Sequence, residues 1–217
     1  MAMQTFELPI AIEPDIADIV NMKLPDPALL QFYKNQKDRI VWIDYDVDTS
    51  LLNVSKDIIR WNMEDNAAGL SREDRNPIVL IIFTDGGALD ATFNFIDVCS
   101  MSKTPIITVC SKAYSAGVLL LLCGHKRYAL PMSDAMIHSG SSGMSGTFEQ
   151  MSSAMENYKD LVNKMRAFIL SKTNITPKTY KKNEDKDRFL DANKQLEYGL
   201  VDAILTDFNE IFSKEHA

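Results

Sequence analysis

The sequence predicts an α/β fold, and three stretches carry the prediction. Ile78 to Phe83 (IVLIIF) is an unbroken apolar run of strand length, the pattern of a parallel strand buried on both faces. Ile106 to Val109 is a second, β-branched run of the same kind. Leu51, Val54, Ile58, Trp61 and Asp65 recur at steps of three and four over Leu51 to Asn66, the spacing of an amphipathic helix apart from its last turn. Strand and helix in such short alternation imply a sheet with right-handed crossovers.

Each further element has its own local reason. Pro9, Pro14, Pro25 and Pro27 interrupt the first segment, so residues 1–36 read as an irregular arm in which Asp26-Pro27 caps a short helix through Tyr33. Arg39 to Tyr45 reads as the first strand. Ala88 to Ser100 follows Gly86-Gly87 as a second helix, and Val118 to Cys123, apolar on every side, as a buried one. Lys126–Leu130 and Ala135–His138 read as two short strands separated at Pro131, and Ser139 to Gly146 as a flexible Gly/Ser segment. Phe148, Met151, Met155, Tyr158, Val162, Met165 and Ile169 then alternate at steps of three and four, an a/d stripe over a helix from about Thr147 to Lys172. At 1.5 Å per residue such a helix is roughly 39 Å long, so part of it is expected to project and bury its Met-rich seam against another subunit. Asp191 caps a last helix, Ala192 to Tyr198, which stops at Gly199 before a strand from Leu200 to Leu205. Residues 37–205 are thus expected to form one domain, with 206–217 as a tail.

Composition excludes several functions. The 23 Lys and Arg against 30 Asp and Glu give a net charge of −7, and no basic cluster stands out, so nucleic acid is not an expected partner. Cys99, Cys110 and Cys123 have neither CxxC nor Cys/His ligand spacing and read as reduced core residues, with no metal expected. The first residues carry acids early and no basic n-region, and no apolar run nears the ~20 residues of a spanning helix. A soluble, cytoplasmic protein is expected.

Ser115 lies where a strand turns into a helix. The unpaired N–H groups and positive dipole end of that first turn can stabilise an anion beside its hydroxyl, although a serine there can equally be an N-cap. Gly86-Gly87, directly after a buried strand, exposes N–H groups at the carboxyl edge of the sheet or simply makes a tight turn. Neither GxGxxG nor a Walker lysine accompanies the pair, so no nucleotide or other cofactor is indicated. His138 closes an apolar strand, a place for a structural histidine as much as for a base.

From Lys37 onward the chain resembles the proteolytic subunit of the Clp protease. Its K-D-R-I motif stands at Lys37-Asp38-Arg39-Ile40, its S-P-G-G as Thr84-Asp85-Gly86-Gly87, and its G-x-A-x-S-M-G as Ser111 to Gly117 around Ser115. K-R-Y-A-L-P…M-I-H is Lys126 to Pro131 and Met136 to His138; the acidic motif is Lys186 to Ala192 followed by Glu197 to Asp202. The resemblance implies the fold shared with crotonases, repeated β-β-α units with a projecting long helix, and a serine endopeptidase acting on peptides and unfolded proteins. It implies Ser115 as nucleophile, His138 as general base, Asp187 as its orienter, and the N–H groups of Gly86 and Ala116 as oxyanion hole. It further implies stacked, heptameric homo-oligomeric rings and a separate unfoldase ATPase as partner. A crotonase-like acyl-CoA hydratase or isomerase and an inactive scaffold subunit are the alternatives. The chain departs from the family at Asp85, which brings a negative charge to the anion site, and at Ser111, Ala116 and Ser139-Gly140. Asp185 and Asp202 are rival orienters outside the motif position.

Overall fold

A computed structural model describes residues 26–183 and 186–212. Two compact units divide the chain, residues 1–34 and 35–217, and the sheet lies in the second. Helix α1 (Pro27–Lys37) begins as expected, with the Asp26 carboxylate accepting the Ala28 N–H at 2.9 Å. The rest of the arm, residues 1–25, lies outside the described residues.

Four strands run parallel in the order β1 (Ile40–Ile43), β2 (Ile78–Thr84), β3 (Ile106–Tyr114) and β4 (Lys126–Ile137). Helices α2 (Leu51–Ala67), α3 (Leu89–Met101) and the short α4 (Ala116–Leu121) connect them. Ile78, Leu80 and Ile82 enter the larger core cluster with Trp61, Phe95 and Leu119, whereas Val79 and Ile81 join Ile107, Val109 and Tyr128 on the other face. A strand with core on both sides has no polar face to present, which is why β2 reads as an unbroken apolar run. Helix α5 (Phe148–Lys172) opens with a capping box between Thr147 and Gln150. After it come α6 (Pro177–Lys182), β5 (Arg188–Asp191), α7 (Ala192–Glu197), β6 (Ala203–Ile204) and α8 (Asn209–Phe212). Ile211 of α8 is buried in the second cluster, so part of the expected tail belongs to the core.

Three elements differ from their sequence expectation, each for a local reason. Strand β3 runs on past Val109 to Tyr114, carried through Ser111 by irregularities in its pairing with both neighbours. The two strands expected on either side of Pro131 are one: Ala129 pairs with Cys110 and Asp134 with Lys112, so the residues between bulge out of the ladder. Proline has no N–H to donate, and the bulge is where none is needed. The bulge also divides β4 between two partners, with β6 parallel to its first half and β5 antiparallel to its second. The strand expected from Leu200 shortens to Ala203–Ile204 because the N–H groups of Leu200 and Val201 close the end of α7 on the Gln195 carbonyl.

Asp65 breaks the apolar stripe of α2 for a reason that only the tertiary structure supplies. Arg39 grips its two oxygens at 2.7 and 2.8 Å, and the Thr104 hydroxyl donates to one of them at 2.7 Å. Buried Arg75 in turn donates to Thr104 Oγ1 and Asn66 Oδ1. Burial alone would raise the Asp65 pKa, but the bonds from Arg39 and Thr104 outweigh it and hold the carboxyl below the usual range. A depressed pKa contributes stability above the unfolded-state value, near 3.9, and that contribution fades as pH falls through the folded value. Asp65→Ala leaves the Arg39 guanidinium without its carboxylate partner and is expected to cost about 3–5 kcal/mol in urea unfolding at neutral pH. Less of that difference should remain in strong acid, and an unchanged unfolding midpoint at neutral pH would contradict the assignment.

Candidate active site

Ser115 occupies the single residue between β3 and α4, with φ 53° and ψ −119°. A β-carbon is strained at such a φ, and positions of this kind persist only where the surroundings over-determine them. Here the Ser115 N–H donates to the Met136 carbonyl of β4 at 2.9 Å, and the Ser115 carbonyl accepts from the Val118 N–H. The side chain makes no N-cap bond, so the capping role open to this serine in sequence is not the one it has. Its Oγ lies instead 2.7 Å from His138 Nε2.

The histidine is placed by the same ladder. Tyr114 of β3 pairs with Met136 of β4, and His138 follows two residues later. Antiparallel pairing of Ile137 with Arg188 brings Asp187, just ahead of β5, opposite His138. Stacking of the Arg188 guanidinium 4.0 Å over the Tyr198 ring anchors this edge. His138 Nδ1 and Asp187 Oδ1 are 3.9 Å apart, an ion-pair distance longer than a hydrogen bond, with Asp187 60% exposed. Asp202 is committed elsewhere: its two oxygens accept the Arg127 guanidinium and backbone N–H, both at 2.8 Å. Asp185 lies outside the described residues.

The two glycines divide their tasks differently from the expectation. Gly86, at φ 101°, passes so close to the turn that an added β-carbon would lie 2.7 Å from both Ser115 Cβ and the Tyr114 carbonyl oxygen. Its N–H is taken by Thr84 Oγ1 at 3.1 Å, while the Thr84 hydroxyl donates to the Tyr45 carbonyl. Gly86 is therefore buried packing and not a free donor. Gly87 bridges to Val47, flanked by the bonds from Val47 N–H to Gly86 and from Ala88 N–H to Val47. That pattern turns the Gly87 N–H away from Val47, and it has no partner among the described residues. An added β-carbon at Gly87 would collide with the Val47 carbonyl. The Ala116 N–H, first of its helix, is likewise without a partner among them. The charge at Asp85 is met by Lys112, whose Nζ lies 2.6 Å from its carboxylate.

A cavity of about 560 Å³ opens beside these groups. Ser115, His138 and Gly87 line it together with apolar Leu89, Met136, Leu161 and Met165, and with Tyr158 of α5. The Tyr158 hydroxyl is buried with no hydrogen-bond partner among the described residues, an arrangement that costs about 1–3 kcal/mol unless something offsets it. Burial raises its pKa, so it remains a protonated donor. Sequence reading placed Tyr158 in the Met-rich seam. The stripe does divide, with Met165 and Ile169 buried and Phe148, Met151 and Met155 exposed, but Tyr158 faces the cavity. Its polar tip, alone in a stripe of apolar side chains, is the signal that distinguishes it.

Among the described residues no cluster of His, Cys, Asp and Glu has the geometry of a metal site, and no helix is long and apolar enough to cross a membrane. The family model described as Clp protease matches residues 36–208, which include every residue of the cavity.

Proposed function

Because the chain belongs to the Clp protease family, we propose that this peptidase is a serine endopeptidase working through Ser115, His138 and Asp187. The observation that carries the reading is the 2.7 Å contact between Ser115 Oγ and His138 Nε2 at a strained turn. A serine hydroxyl becomes nucleophilic when a neutral imidazole accepts its proton as it attacks, which requires Nε2 free and the ring proton on Nδ1. Asp187 faces that proton and stabilises the imidazolium that forms; its 3.9 Å separation shortens as substrate excludes water.

The carbonyl oxygen of the scissile bond gains negative charge as Ser115 adds to it. The unpartnered N–H groups of Gly87 and Ala116 receive that charge, with Gly87 in the role expected of Gly86. His138 then returns the proton to the leaving amine, and water activated by the same imidazole hydrolyses the acyl-enzyme. A crotonase-type reaction would instead require free carboxylates in the cavity. Asp85 is held by Lys112, and Asp90 accepts the N–H of Ala91 in the first turn of its own helix.

The exposed Phe148, Met151 and Met155 on the first half of α5 support assembly through this helix, as stacked rings of one kind of subunit that enclose the sites. The sequence has no Walker motif, so unfolding of protein substrates would depend on a separate ATPase.

Ser115→Ala and His138→Ala are each expected to lower hydrolysis of a short fluorogenic peptide by roughly 10⁴–10⁶-fold, and the double variant to lose little more. Additive losses would exclude their acting as a unit. By light scattering the protein at micromolar concentration is expected to be a large particle that Met155→Glu disrupts by burying an unpaired charge. A wild-type monomer would contradict the ring.

A further inference from the structure

We propose that Tyr158 is a specificity-determining residue, selecting at the scissile bond a side chain with an apolar stem and a neutral hydrogen-bond acceptor at its end, such as glutamine. The inference rests on the peptidase reading of the same site. Tyr158 lines the cavity that holds Ser115 and His138, and its hydroxyl is the one buried side-chain polar atom of that wall without a partner among the described residues. What lies over it is Gly140, two residues beyond His138, where an added β-carbon would be 2.5 Å from the phenol oxygen. Gly140 has no side chain and stands at φ 89° within a segment free of helix and strand, and recognition by Tyr158 requires this segment to shift enough to uncover the hydroxyl toward the cavity.

The other walls define the rest of the ligand. Leu89, Met136, Leu161 and Met165 match methylene groups, and Asn157 adds an amide beside the phenol. Asp85 and Asp90 are the charged residues of the lining, and no lysine or arginine joins them. Lys112 is committed to Asp85, so a substrate carboxylate would meet no unpaired lysine or arginine in the lining, whereas a carboxamide can accept from Tyr158 without bringing charge. An all-carbon side chain fills the same space but leaves the hydroxyl unpaired, and a site that buries a donor discriminates against the ligand unable to accept from it.

The test compares two peptides that differ only at the residue supplying the scissile carbonyl, glutamine in one and the similarly long norleucine in the other. Wild-type kcat/KM is expected to be at least roughly fivefold higher for glutamine, the size of one net hydrogen bond, and Tyr158→Phe is expected to bring the ratio to about one. A wild-type ratio near one overturns the proposal, and this measurement stands even if the variant does not fold. A ratio that survives in Tyr158→Phe, or equal losses on both peptides, also overturns it, the second because it would make Tyr158 a support for the His138 segment. Fluorophosphonate labelling of wild-type Ser115 separates the two levels. Labelling with a flat ratio removes only the specificity assignment, whereas absence of both labelling and cleavage removes the peptidase reading and the assignment with it.

Discussion

A serine at φ 53° and ψ −119° is the constraint on which the rest of the site depends. That conformation holds because three strands fix it at once: β3 delivers the residue, β4 accepts its N–H through Met136, and the turn leaving β2 passes Gly86 against its β-carbon. None of the three can shift alone. A side chain at Gly86 would meet the turn, and a slip of β4 against β3 would move the Met136 carbonyl and His138 together. The parallel ladder is thus the device that sets the hydroxyl-to-imidazole distance. Short-range geometry of this sort is less forgiving than packing, since sub-ångström errors in a reactive contact are costly in rate.

Asp187, the proposed acid member, is held far less tightly. Asp187 immediately precedes a four-residue antiparallel strand, beside a segment rich in lysine, and its carboxylate is more exposed than the imidazole it faces. Where Asp65 is buried and gripped by two oxygens, Asp187 touches its partner at the limit of an ion pair. Two carboxylates in one fold are therefore held differently: the first organises the core around Arg39 and Thr104, and the second stands exposed beside His138. Rigidity sits at Ser115 and adaptability at Asp187.

Much of this was legible in the chain. Local patterns disclose the apolar strand at Ile78, the helix from Thr147, the cap at Asp191 and the strand-to-helix turn at Ser115, because each depends on neighbours a few residues away. The continuity of β4 through Pro131 was not legible, since proline marks a break in sequence and only pairing reveals a bulge. The division of labour between Gly86 and Gly87 was hidden for a similar reason. Adjacent glycines look alike until Thr84 claims one N–H and Val47 turns the other outward. Tyr158 satisfied the heptad spacing and so passed for seam, though it lines the cavity beside Ser115 and His138.

The central claim is that the strained turn makes Ser115 a nucleophile activated by His138. Incubating the purified protein with a fluorophosphonate and mapping the adduct by peptide mass spectrometry tests it most directly. Modification confined to Ser115 and suppressed in His138→Ala is the expected result; an unmodified protein, or an adduct on a different serine, would contradict it.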